Sequence, residues 1–86
     1  MSNIKELITT IVEPLVRNKE AVRVEIAEPD GYGVTAYKLY VNKSDMGRVI
    51  GKKGRIAKVI RILVRAGAVK ANEKVVLDIN EIEQIA

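Results

Sequence analysis

The residues best suited to chemistry are Gly51-Lys52-Lys53-Gly54, two glycines around two lysines, with Val49-Ile50 before them and Arg55-Ile56 after. Glycine reaches backbone angles closed to other residues and lets another backbone come near. The lysines carry positive charge to the tip. A helix beginning after such a turn offers free N–H groups and a dipole that favour an anion, and a phosphate fits that description. The turn is not a Walker loop: no Ser or Thr follows a Gly-Lys pair and the glycine spacing differs. A Gly-x-x-Gly is common by itself and serves equally well as a plain helix–helix turn, so its surroundings decide.

Those surroundings are basic. Arg48, Lys52, Lys53, Arg55, Lys58, Arg61, Arg65 and Lys70 fall between Met46 and Asn72 with no acid among them, whereas the rest of the chain holds more acids than bases. A solvated helix face usually mixes signs and gains support from i,i+4 pairs. An unopposed positive field on an otherwise acidic chain points to a polyanion.

Composition excludes other chemistry. The chain of 86 residues has neither Cys nor His, which removes disulfides, thiolates, the usual zinc ligand and the commonest general base. Its acids are scattered, with Glu25 and Glu28 on the wet side of a strand, so an enzyme is not expected, and neither a cofactor nor a metal site is expected. With no Phe, no Trp and three Tyr, the core is aliphatic, and this poverty in aromatics argues against base-stacking platforms. The N-terminus does not read as a signal peptide and no apolar run reaches membrane-spanning length, so a cytoplasmic protein is expected.

The elements that must position the loop follow from periodicity. Ile4, Leu7, Ile8, Ile11, Val12 and Leu15 mark an amphipathic helix over residues 3–17, capped by Asn3 or Ser2 and loosened by Pro14. Strict alternation puts a strand at 22–28, with Val22, Val24 and Ile26 inward, and a second at 34–41, with Tyr37, Leu39 and Val41 inward; Pro29-Asp30-Gly31-Tyr32-Gly33 turns between them. Ser44 is placed to cap a short helix over 45–50, with Asp45 in its first turn. Gly47 inside that helix costs roughly 1 kcal/mol against alanine, which invites a reason such as close approach. The longest helix covers 55–71, with an apolar stripe of Ile56, Val59, Ile60, Leu63, Val64 and Gly67 and a basic face of Lys58, Arg61 and Arg65. A last strand covers 74–80, followed by an indistinct tail at 81–86. The chain is thus one α+β domain, residues 1–86, in the order α-β-β-α-α-β. It should form a three-stranded mixed sheet with three helices on one face, because a strand–helix–helix–strand connection can return parallel.

The run from Asp45 to Ile56 resembles the signature of KH domains, which bind single-stranded nucleic acid, and the element order is that of their type II topology. Length, that run and Glu13-Pro14-Leu15-Val16 together resemble the small bacterial single-KH proteins of the KhpA type. The resemblance implies a post-transcriptional regulator or RNA chaperone. Its loop, Gly51 to Gly54, would clamp the backbone of about four nucleotides of RNA. Lys52 and Lys53 would lie by phosphates, with Arg48, Arg55 and Lys58 extending the basic track. Val49, Ile50 and Ile56 would line an aliphatic groove beside the loop. The family also implies a homodimer, or a heterodimer with a larger protein of the KhpB type. Ala66, Gly67, Ala68 and Ala71 make the end of the long helix thin enough for a partner helix, or for this chain's own sheet. Two rival readings remain. One is a DNA-binding helix-turn-helix, although Gly54-Arg55-Ile56-Ala57 is a poor start for a recognition helix. The other is a protein–protein interaction module.

Overall fold

The computed structural model describes residues 3–82. Helix α1, Ile4–Val12, begins where the Asn3 side chain accepts the Glu6 amide at 3.0 Å while its own amide group donates to the Glu6 carboxylate at 2.6 Å. That reciprocal cap satisfies a donor the helix start would otherwise leave open. The alternative cap, Ser2, lies outside the described residues. Pro14 acts as expected: the α-helix ends at Val12 and a tighter single turn, Glu13–Leu15, carries the proline where its missing N–H costs nothing.

Strand β1, Arg23–Ile26, runs antiparallel to β2, Val34–Asn42, with Val24 opposite Leu39; β2 runs parallel to β3, Lys74–Ile82, with Tyr37 opposite Leu77. The sheet order is β1-β2-β3, so β3 has one free edge. Strand β1 is shorter than the alternation suggested, and Ile26 is exposed although it shares a face with buried Val24. The helical layer therefore stops short of the hairpin tip. At that tip the Asp30 carboxylate accepts the Tyr32 and Val34 amides at 2.8 and 3.0 Å, which fixes the turn. Strand β3 also runs further than expected, through Glu81 and Ile82; the remaining tail lies outside the described residues.

Helices α2, Met46–Ile50, and α3, Arg55–Lys70, complete the fold. One aliphatic core joins Ile4, Ile8 and Val12 of α1 to Val49 of α2, Ile60 and Val64 of α3, and Val24, Leu39, Val41 and Leu77 of the sheet. On the opposite sheet face Arg23, Glu25, Lys38 and Asp78 are exposed, the alternation of a sheet covered on one side. The buried stripe of α3 is Ala57, Ile60, Val64 and Ala68, a rotation away from the stripe the sequence suggested. Ile56, Val59 and Leu63 lie at its exposed margin. The thin end of α3 is occupied by this chain itself: Ala68 is 1% exposed, and a Cβ on Gly67 would strike the Leu7 side chain of α1. Ala71 also packs against the core, so three of the four small residues pack internally and Ala66 alone is exposed.

Asp45 differs from its expected role. Asn42, not Ser44, caps the turn at Lys43–Asp45, its side chain accepting the Ser44 amide at 2.9 Å. The Asp45 carboxylate, 1% exposed, reaches across the chain instead. It accepts the Arg17 and Asn18 amides at 3.1 and 3.0 Å and the Asn18 side-chain amide at 3.1 Å. Burial pushes this carboxyl upward, but those hydrogen bonds and nearby Arg48 outweigh it and hold its pKa below the ordinary value. A carboxylate with a depressed folded pKa stabilises fully above its unfolded pKa. That contribution is lost only as pH falls through the folded value, so the tie is intact at neutral pH.

Candidate nucleic-acid interface

The turn between α2 and α3 has three residues at positive φ, Gly51, Lys53 and Gly54. Gly51 stands at φ 74°, ψ 177°, and Gly54 at φ 75°, ψ 15°. The first is a region essentially reserved for glycine. Gly51 N–H donates to Gly47 O at 2.9 Å, closing α2, and Gly54 N–H donates to Gly51 O at 3.2 Å, closing the turn. Lys53 is itself left-handed at φ 58°, ψ 25°. Such strain in a non-glycine residue persists where the surroundings impose it, and it clusters at ligand clamps.

The two glycines have different reasons. A Cβ on Gly51 would come within 2.5 Å of Ile56 Cγ1, so Ile56 packs directly on the Gly51 backbone; a Cβ on Gly54 would meet nothing within 4 Å. Gly51 is therefore demanded by the fold, whereas Gly54 leaves bare backbone open to a ligand. Gly47 likewise has open space around it, so nothing within the chain explains that glycine.

The expected site residues divide into three groups. Lys52, Lys53, Arg55 and Lys58 are exposed on the loop and the first turn of α3. Arg48 is held beside the Asp45 carboxylate at 3.8 Å, which offsets part of its charge. Val49 is fully buried; α2 has only five residues and spends this one on the core, so it lines no surface groove. Ile50 is half-buried against that core. Ile56 lines a groove, but one that faces α1.

At about 100° per residue, α3 presents two different flanks beside its buried stripe. Lys58, Arg61 and Arg65 occupy the flank towards the sheet. There Arg61 Nε–H donates to Leu77 O on β3 at 3.2 Å. A groove of about 190 Å³ runs between helix and strand, lined by Arg61, Val64, Arg65, Val75, Val76 and Leu77. The opposite flank is apolar. Ile56, Val59, Ile60 and Leu63 meet Ile11 and Leu15 in a groove of about 340 Å³, and Arg55 stands at this groove rather than at the one beside the sheet. Sequence reasoning omitted Arg61 and Arg65 from the binding residues. The spacing of three and then four along Lys58, Arg61 and Arg65 was visible; that β3 would be the free edge beneath them was not.

Compared with protein families, the chain matches the KhpA/KhpB KH-domain model over residues 5–79. The chain belongs to this KH family. It is 52% identical over 77 residues to RNA-binding protein KhpA of Listeria monocytogenes, covering 90% of this chain and 99% of that one. It is 42% identical over 84 residues to RNA-binding protein KhpA of Lactiplantibacillus plantarum, covering 98% and 96%. Among solved structures, Era from Aquifex aeolicus superposes with a TM-score of 0.69 at 20% identity, over 94% of this chain and 31% of that one. Era in complex with a ribosomal RNA fragment gives 0.66 at 21% identity, over 94% and 30%. These likenesses establish the fold. The KH family is one of RNA-binding proteins rather than of enzymes, and among the described residues no helix is long and apolar enough to cross a membrane.

The unlike glycines of the KH loop predict unlike costs. Gly51→Ala should destabilise by more than Gly54→Ala: Gly54 faces only the left-handed penalty of about 1–2 kcal/mol, whereas Gly51 lies in a region essentially reserved for glycine and a Cβ there also collides with Ile56. Chemical denaturation of the two variants checks this, and equal midpoints would contradict the placement of Ile56.

Proposed function

We propose that this KH domain binds single-stranded RNA by clamping the backbone on the Gly51–Gly54 loop and laying bases in the cleft between α3 and the free edge of β3. The observation that carries this reading is the continuity of the two. Bare backbone at Gly54, flanked by Lys52 and Lys53, leads through Lys58 to Arg61 and Arg65, with no acid on that flank of α3. Relatives named as RNA-binding proteins support it, as does the Era structure with a bound fragment of 16S ribosomal RNA. A single KH unit covers about four nucleotides, which suits a cytoplasmic post-transcriptional regulator or RNA chaperone with a small footprint. Paucity of aromatic rings and the short α3 entry turn weigh against stacking platforms and against a duplex-reading helix.

If Lys52, Lys53 and one or two of Arg55 and Lys58 meet phosphates, log affinity should fall with log salt at a slope of roughly −2 to −3, taking about −0.7 per contact. Replacing Lys52 and Lys53 with alanine should shallow the slope by about 1.4. Fluorescence anisotropy of a labelled single-stranded RNA across a salt series reads both. A flat response, or tighter binding to duplex DNA than to RNA, would defeat the clamp.

A second reading concerns assembly and stands beside the first. Val59 and Ile62 are 54% and 55% exposed, and with Leu63 they form an apolar ridge beside the groove made with Ile11 and Leu15. A ridge next to a groove is self-complementary under a two-fold axis, so we propose that this flank carries the homodimer; a larger protein of the KhpB type is the alternative partner. It replaces the thin end of α3, which is packed internally. Two linked KH units gain affinity through effective concentration on one RNA. Sedimentation should show a dimer that Leu63→Glu weakens and Thr10→Glu does not; a wild-type monomer at tens of micromolar, on the order of what such dimers need, would count against it.

A further inference from the structure

Strand β1 forms the other edge of the sheet, paired on one side only. Ala27 N–H donates to Ala36 O at 2.9 Å, and antiparallel partners alternate between pairs that exchange hydrogen bonds and pairs that do not. In the β1–β2 register, Arg23 and Glu25 therefore bond to Tyr40 and Lys38, whereas the amides and carbonyls of Val24 and Ile26 point away from β2. Beside this outer side a groove of about 340 Å³ separates β1 from α1, lined by Lys5, Thr9, Val22, Arg23, Val24 and Glu25. Ile26 lies exposed on the same side of the sheet as that groove. Arg23 and Glu25, of opposite charge, are exposed on the other face.

We propose that β1 pairs antiparallel with β1 of a second copy of this chain, about a two-fold axis at Val24. An edge register can bond only where outward-pointing residues stand opposite one another. With the axis at Val24, Val24 meets its own mate, Arg23 meets Glu25 of the second copy, and Ile26 meets Val22 of the second copy. Opposite charges then face each other twice on the open face. Each Ile26 side chain comes beside the groove of the other copy, where an aliphatic group is wanted. Moving the axis one residue sets Glu25 against Glu25 or Arg23 against Arg23, which like charges forbid. The same two charges discourage an unmatched apolar strand, so the edge is selective for itself. Because β3 lies at the far side of the sheet, this interface leaves the cleft beside α3 open, and it does not use the flank of α3 that carries Leu63. A chain with both interfaces assembles beyond a dimer.

The test uses the full chain carrying Leu63→Glu, which leaves the β1 edge as the surface between copies. Sedimentation over a concentration series should still show a dimer. Adding either Glu25→Arg or Arg23→Glu should raise its dissociation constant about tenfold, because each change sets like charges opposite one another at two symmetry-related places. Arg23→Glu together with Glu25→Arg restores the opposite pairs and should recover most of that loss. Hydrogen exchange gives a readout independent of charge: the Val24 amide should gain protection as concentration rises, and Ile26→Asp should remove that gain. Single reversals without effect, or a double reversal that associates no better than the singles, would overturn the pairing. A monomer at every concentration would overturn the second copy as occupant and leave the edge to an extended strand of another protein. Neither result bears on RNA binding, which is assigned to the opposite edge.

Discussion

Asp45 stands at the junction on which the functional end of the molecule depends. Its carboxylate holds the amides of Arg17 and Asn18, some 27 or 28 residues earlier, and lies beside Arg48 on the next turn. It joins the exit of α1 to the entrance of α2. Because α2 has only five residues, it cannot fix its own orientation through a long packed stripe. It has one fully buried apolar anchor, Val49, and the Asp45 tie at its start. Together they set where α2 ends, and so where Gly51 turns the chain. A buried carboxylate without partners would be costly, but this one accepts three hydrogen bonds and has a cation close by, which turns a penalty into a constraint.

From that fixed turn, α3 separates two kinds of surface. One flank is basic and overlooks the free edge of β3; the other is apolar and overlooks α1. The helix can carry both because its buried stripe is narrow, relying on Ala57 and Ala68 to approach the layers beneath it. Small residues at the stripe leave the larger Ile56, Val59, Ile62 and Leu63 outside it. On the proposed assignments, RNA and a protein partner would meet the same helix on opposite sides, without competing for side chains.

Much of this was legible in the sequence. Element order, the inward faces of β2 and β3, the break at Pro14 and the glycine turn all follow from periodicity, proline sterics and glycine freedom, which act locally. What the sequence hid was non-local. Ile56 and Leu63 fit a helical stripe as well as Ala57 and Ala68 do, and hydrophobicity favours the larger residues; only the packing of Leu7 on Gly67 and of Ile56 on Gly51 shows which way α3 is rotated. Ser44 is the better cap by residue type, but Asp45 is claimed by a segment far away in the chain. Arg61 looked like surface charge because its partner is a backbone carbonyl on β3, and no sequence pattern marks such an acceptor.

The central claim is that RNA lies along the loop and the basic flank of α3, away from α1. Nuclear magnetic resonance titration of the isotopically labelled chain with a single-stranded RNA tetranucleotide tests it most directly. The account predicts that the backbone amide signals of Gly51 to Gly54 and of Val75 to Leu77 shift in step with RNA, while those of Ile11 and Leu15 stay in place. Shifts centred on Ile11 and Leu15, with the glycine turn unmoved, would contradict it.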